Sequence, residues 1–240
     1  MVLYKNKITR YCITKEGKMT EIMRAMKEQG VDVFGTSHIA AVPDRPYGLP
    51  YAITLGIRLS GAVIDSLKDG PTKNYFHHYR TVNAFLDACA LRCVIMLQRK
   101  GYEAAAVPAS QTTSEAGLKA DFSHKTAANL AGLGFIGKSG LFITNDFGPR
   151  VRFATVLTDM ALEGGQIGDS ECGGCMECVR ACPCGAITGR EWEPGVPRGL
   201  IVDAALCSAH MKTKYKAIGR GAVCGICVSV CPKGKKSGRG

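Results

Sequence analysis

Residues 172–185 read CGGCMECVRACPCG, and residues 224–232 read CGICVSVCP. The first run places five cysteines in fourteen positions. Both runs step in two- and three-residue gaps and close on Cys-Pro, at Pro183 and Pro232. Core packing does not require thiols at such regular intervals. Metal ligation does, because thiolates are soft, strongly donating ligands and short gaps wrap the backbone around one inorganic centre.

Cys172, Cys175, Cys178 and Cys182 have the C-x2-C-x2-C-x3-C-P spacing of bacterial ferredoxins, in which the fourth cysteine crosses to the other cluster. The second run adds Cys224, Cys227 and Cys231, which leaves two cubanes one ligand short. Cys207, in VDAALC between the runs, is the natural eighth. The crossing rule then assigns Cys172, Cys175, Cys178 and Cys231 to cluster 1, and Cys182, Cys207, Cys224 and Cys227 to cluster 2. Zinc sites also use C-x2-C, but not this compact run with Cys-Pro endings. Two [4Fe-4S] clusters side by side, each carrying one electron at a time, make a wire. Of the remaining cysteines, Cys89 and Cys93 read as small hydrophobes on a helix, Cys184 as a packed neighbour of a ligand, and Cys12 carries no signal.

The 240-residue chain has 46% hydrophobic residues and no apolar run near 18, which argues against a membrane span. Its first residues, MVLYKNKITRYC, lack the apolar core of an export signal. Cysteines in C-x-x-C runs without such a signal favour metal binding in a reducing compartment, and a cytoplasmic protein is expected. The formal charge is +11, and the tail KGKKSGRG (233–240) carries four cations. That balance suits a nucleic acid, an acidic redox partner or an anionic cofactor equally.

Met19, Ile22, Met23 and Met26 fall at helical spacing before Gly30. VDVFGTS and YAITLGIRL read as strands, and SGAVIDSL as a helical turn or two. The stretch from Pro71 to Gly101 is the strongest helix signal, with Tyr75, Tyr79, Val82, Leu86, Cys89, Cys93 and Met96 on one stripe. YEAAAVPAS predicts a strand, and Ser123 caps a helix through HKTAANLAGLG. GLFITNDFGPRVRFATVLTD predicts two strands joined by a turn. The polar, glycine-rich EGGQIGDSE (163–171) reads as a linker, so the expected domains are 1–165, an α/β unit, and 166–240, a two-cluster ferredoxin-like unit with a basic tail.

The stretch from Asp121 to Asp159, followed by CGGCMECVRACPCGAI, VDAALC and CGICVSVCP, resembles the epoxyqueuosine reductases, corrinoid-dependent iron–sulfur enzymes related to the reductive dehalogenases. The carrying motifs are AGLGFIGK (Ala131–Lys138), the strand end Thr158-Asp159 and both cysteine runs. The resemblance implies a nitroreductase-like α/β (α+β) N-terminal domain holding cobalamin, closed over by a small bacterial-type two-[4Fe-4S] ferredoxin domain. Two departures stand out. By counting, Leu118 occupies the place of the family's proton-donating aspartate, with Asp121 the nearest carboxylate, and Phe135 replaces the family's tryptophan. The helical-repeat region associated with tRNA in the family does not follow the second run here, so a small-molecule substrate is expected in place of tRNA.

Asp121 is accordingly the candidate catalytic residue. Gly137, Lys138 and Ser139, in the glycine-rich stretch 132–140, are candidate cofactor contacts, joined by His124 and Lys125 at a helix start and by Ser110 at a strand end. GLGFIGKS satisfies the letters of a phosphate-binding loop, but it comes after a predicted helix where that loop requires a strand. Of His77 and His78, one is expected to face solvent and the other to pack. The expected function is an oxidoreductase that passes electrons from a reduced ferredoxin- or flavodoxin-type donor through two clusters to a corrinoid, removing an epoxide oxygen or a halogen from its substrate. The alternative is an electron-transfer or activator protein with no substrate of its own.

Overall fold

The structure is a computed structural model describing residues 15–43, 45–110, 118, 120–219 and 223–235. Cys12 and residues 236–240 of the basic tail lie outside the described residues.

Helix α1 (Lys15–Glu28) buries Ile22 and Met26 and gives way at Gly30, whose N–H donates to the Lys27 carbonyl at 2.9 Å. Strands β1 (Val33–His38) and β2 (Tyr51–Arg58) form an antiparallel pair, followed by α2 (Gly61–Asp65) and the long α3 (Lys73–Arg99). Then come β3 (Ala104–Val107), α4 (His124–Leu130), β4 (Gly134–Ile136), β5 (Phe142–Thr144) and β6 (Val151–Thr158). The main sheet has the order β1-β2-β6-β3, antiparallel throughout. β2 and β6 are its central strands and are covered on both faces, which explains why YAITLGIR and VRFATVLT read as nearly continuous apolar runs.

α3 covers one face. Thr72 caps it, its Oγ1 accepting from the Tyr75 N–H at 3.1 Å, and its buried stripe of Leu86, Cys89, Cys93, Val94 and Leu97 packs with α1 against Ile53, Leu55, Ala154 and Val156. Truncating Leu86, which has no exposed surface, to alanine costs about 2–5 kcal/mol. α3 is long and apolar enough by composition to cross a membrane; here its buried stripe lies on the sheet. His77 is exposed, whereas His78 packs and accepts the Ser60 N–H on Nε2 at 2.9 Å.

α4 covers the other face. Ser123 sits at its cap position without a side-chain bond to the helix, and the helix stops at Leu130. The two strands read from GLFITNDFGPRVRFATVLTD form, but not as partners. β5 pairs with β4 in a separate two-stranded sheet, Phe135 opposite Ile143, while β6 joins the main sheet. Thr144 and Gly148 exchange backbone bonds at 2.9 and 3.0 Å, and that tight turn sends the chain from one sheet to the other. β4 escaped sequence reading because a three-residue strand that starts on Gly134 and runs into Gly137 shows no alternation. The phosphate-loop letters are therefore set in a hairpin: strand β4 does precede Lys138, but strand β5 comes after it, in place of the helix such a loop requires.

Residues 163–171 are extended and tied down: Thr36 Oγ1 donates to the Glu163 carbonyl at 2.6 Å, and the Gly165 N–H to the Leu130 carbonyl at 3.0 Å. Beyond them lie α5 (Glu177–Ala181), α6 (Ala204–Lys214), α7 (Lys216–Gly219) and α8 (Ile226–Ser229), with a single bridge between Ile187 and Val202. Val223 and Val228 share one apolar cluster with Leu59, Ile64, Leu67 and Tyr75 of the first half. Gly225, at φ +86°, lies so close to α3 that a Cβ there would stand 2.6 Å from the Tyr75 ring. Arg150, bonded to Asp65 at 2.7 Å, packs on Gly234. The two halves are thus packed through a common core.

Candidate metal centre and redox site

Cys172, Cys175 and Cys178 line one cavity together with Cys231 from the second run. Local structure explains the gathering. A turn closed by the Cys175 N–H on the Cys172 carbonyl at 2.9 Å leads into α5, which carries Cys178, and Cys231 heads the turn Pro232–Gly234. Lys138, Ser139, Ile143, Glu177 and Pro232 complete its wall. The Cys178 thiol is pushed up by burial and then by Cys172, Cys231 and Cys175.

Members of the second set, Cys182, Cys207, Cys224 and Cys227, feel one another electrostatically. Cys227 is pushed up to about 12 by burial and then by Cys224, Cys207, Cys178 and Cys182, so it faces its own set and borders the first. Burial, followed by Cys184, Cys224 and Cys182, raises Cys207 to about 11. At Cys182 burial also raises the thiol, but hydrogen bonds from the backbone of Cys184, Ala186 and Ile187 and from the Cys184 side chain outweigh it and lower it. A metal that binds a buried thiol displaces its proton, so metal binding and deprotonation are linked. Among the described residues no three His, Cys, Asp or Glu side chains converge as the ligands of one ion would. The sulfurs of the first set instead ring a space, which suits a multi-atom cluster better than a single ion.

The glycine-rich stretch faces this centre. A Cβ on Gly137 would lie 3.3 Å from Cys172 Sγ and 3.0 Å from Ile143 Cγ1, so a side chain there would press on the first cysteine loop. Lys138, almost fully buried, donates to the Gly173 carbonyl and stands 3.8 Å from Glu191 Oε1. Ser139 Oγ lies 3.4 Å from the Leu141 N–H. Lys125 donates to the Gly140 carbonyl at 2.7 Å, and burial, then Arg198, lowers it to about 8. The hairpin turn that sequence reading assigned to cofactor contact thus forms the seat of the first cysteine set.

The other candidates stand apart from it. His124 spends both ring nitrogens inside the protein, Nδ1 with Thr155 Oγ1 at 2.8 Å and Nε2 with the Pro108 carbonyl at 2.9 Å. Burial lowers it to about 4 against the opposing pull of that carbonyl. Ser110 and Asp121 are exposed on either side of residues 111–117, which fall outside the described set. The Leu118 carbonyl accepts from Arg198 Nη1 at 2.9 Å, a link between Leu118 and the cysteine half.

One polar knot escaped sequence reading. Arg152, pointing from β6 towards α3, donates through Nε to Asn83 Oδ1 at 2.8 Å and lies 5.7 Å from the Tyr79 ring centre, while burial pushes Tyr75 beside them up to about 12. Its signal was a lone arginine in an otherwise apolar strand. A second cavity, lined by Phe135, Ile136, Asp169, Ser170, Glu191 and Trp192 among others, holds about 300 Å³. A corrin ring with its side chains exceeds the drug-sized ligands that fill pockets of ~300–1,000 Å³. Neither of these two cavities is of a size to enclose it.

Residues 171–234 match the family model for a 4Fe-4S double cluster binding domain. Over 119 residues, 45% of the chain, the protein is 33% identical to an epoxyqueuosine reductase of Synechocystis, of which the match covers 38%. A solved structure described as suggesting a mechanism for B12-dependent reductive dehalogenation superposes with a TM-score of 0.69 at 20% identity, covering 90% of this chain and 32% of that one. An epoxyqueuosine reductase solved with an epoxyqueuosine-modified tRNA stem loop superposes at 0.62 with 16% identity, covering 95% of this chain and 68% of that one. The chain spans about a third of the length of the curated relatives it matches. Over these stretches the chain is similar in sequence to epoxyqueuosine reductases, its fold is that of the epoxyqueuosine reductase and reductive dehalogenase structures, and residues 171–234 match a double-cluster domain.

Proposed function

We propose that this chain is an iron–sulfur reductase in which residues 166–240 hold two [4Fe-4S] clusters and residues 1–165, a nitroreductase-like unit, present the electron acceptor and substrate. The observation that carries the reading is the pairing of Cys231 with Cys172, Cys175 and Cys178 around one cavity, the crossed arrangement of a two-cluster ferredoxin. Cys182, Cys207, Cys224 and Cys227 hold the other cluster. The clusters, when bound, supply low-potential electrons one at a time.

The chain's own residues do the rest. Gly137 lets the hairpin approach the first cysteine loop, and Lys138 fixes that loop through Gly173 while placing a buried cation on the same cavity wall. Arg198 holds Leu118 against the cysteine half. Asp121 is the carboxylate proposed to hand a proton to the departing heteroatom, and its exposure leaves it free to reload from solvent.

The acceptor is proposed to be a corrinoid. The B12-dependent dehalogenase among the structural relatives supports this, although neither the cavity at Cys172 nor that at Trp192 matches a corrin ring in size. The substrate bears a removable oxygen or halogen, as the relatives' names indicate. The test is anaerobic incubation of the cluster-loaded chain with cobalamin, followed by gel filtration. Co-elution of the corrinoid's visible bands with the protein is expected. Protein with full iron and no corrinoid would leave the activator reading, an electron carrier without its own substrate.

A further inference from the structure

We propose that the exposed face of α6 and α7 is the docking surface for an acidic one-electron carrier protein, which reduces the cluster bound through Cys207. This rests on the reading of Cys207 as a cluster ligand.

The face has two layers. Ala204, Cys207, Met211 and Tyr215 recur at helical spacing on the less exposed side, with Tyr215 buried. Leu206, Ala209, Lys212, Thr213 and Lys216 recur on the exposed side, joined by Lys214. Leu206 is 43% exposed and Leu200, just before the helix, 47%. From Ala204 to Lys235 the sequence contains no aspartate or glutamate, while Lys212, Lys214, Lys216, Arg220, Lys233 and Lys235 are cations. Among the described residues Lys233 pairs with Glu171, whereas Lys212, Lys214 and Lys216 enter no ion pair.

An apolar spot rimmed by cations has the anatomy of a transient protein interface whose partner is acidic. The same cations could draw RNA, but no aromatic ring is exposed between Leu200 and Gly219 on which a base could stack. Position decides the rest: a partner on this face sits on the helix that bears Cys207. The step is a one-electron transfer in which the carrier is oxidised by one electron and the cluster reduced by one, with no bond made or broken. Lysines at the rim act on encounter more than on residence, so their effect is on the association rate and falls with salt.

The experiment uses the full chain, anaerobically loaded with iron and sulfide, with photoreduced plant-type [2Fe-2S] ferredoxin as the acidic probe. Stopped-flow reduction and equilibrium titration are compared in the wild type, Lys212→Glu/Lys214→Glu/Lys216→Glu, the matching triple arginine variant, and a control carrying Lys27→Glu, Arg92→Glu and Arg99→Glu. The glutamate variant should lose ~10–100-fold in rate and weaken in affinity at low salt, with the difference vanishing at high salt. The arginine and control variants should behave as wild type. Dithionite, which needs no docking, should reduce all four alike. Equal rates and affinities in the wild type and the glutamate variant would overturn the proposal. So would binding of an RNA stem-loop that the glutamate changes abolish while ferredoxin binding is untouched. Protein with no iron that dithionite can bleach would instead overturn the cluster reading beneath it.

Discussion

Gly137 and Cys172 meet across the two halves of the molecule: a Cβ on the glycine would stand 3.3 Å from the cysteine sulfur. The contact explains why a glycine-rich turn precedes a cysteine run in the chain. The turn brings backbone, without side chain, against the loop that holds the first cluster.

Gly137→Val should therefore displace the loop of Cys172 and lower cluster occupancy while leaving the main sheet intact. Iron per chain should fall by about half, with far-ultraviolet circular dichroism unchanged. Retention of full iron would show that the close approach is not needed.

Lys138 is buried on the same cavity wall and donates to the Gly173 carbonyl. Lys138→Met removes a cation that favours the electron-rich state of the neighbouring cluster and leaves the Gly173 carbonyl unpaired. The midpoint potential of one cluster should drop by on the order of 60 mV, the equivalent of tenfold in a one-electron equilibrium. The lost hydrogen bond should cost about 1–3 kcal/mol in stability. Redox titration monitored by electron paramagnetic resonance, alongside thermal melts, checks both.

Cys182 and Cys184 have sulfurs 3.9 Å apart, yet Cys182 is the one cradled by the backbone of Cys184, Ala186 and Ile187. Cys184→Ala should keep full iron and perturb only the spectrum of one cluster. Cys182→Ala should lose about half the iron, unless Cys184 moves in as a substitute, and the double variant closes that route. Iron counts on the three proteins decide the assignment.

His124 carries a pH signature. Burial outweighs the Pro108 carbonyl and lowers the ring to about 4. The unfolded chain then binds the extra proton between about pH 6.5 and 4 while the native state does not. Its stability contribution relative to His124→Asn is complete above the unfolded value and shrinks as pH falls towards 4. Chemical-denaturation curves at several pH values in this window, together with a ring-proton NMR titration centred near 4, test the sign. A midpoint near 6.5 would refute the placement.

The cysteine half was legible because ligand spacing is local: C-x2-C-x2-C-x3-C-P states its chemistry within a dozen residues. The central strands and α3 were legible because long, covered elements show their period. The β4–β5 pairing was not, because a three-residue strand starting on Gly134 carries no periodicity and the partner choice was made by the turn at Thr144–Gly148. The role of Lys138 was half legible. Its place in a glycine turn was visible, but its bond to Gly173 joins residues far apart in sequence. Arg152 was not singled out in the sequence, because only the fold supplies Asn83 and Tyr79 as its neighbours.

The most direct measurement is metal and sulfide analysis of the full chain prepared without oxygen. Two cubanes require about eight iron and eight acid-labile sulfide per chain, with two interacting reduced clusters by electron paramagnetic resonance. Tightly bound zinc with no labile sulfide, or a single cluster unaffected by removal of Cys182, Cys207 or Cys224, would contradict the account.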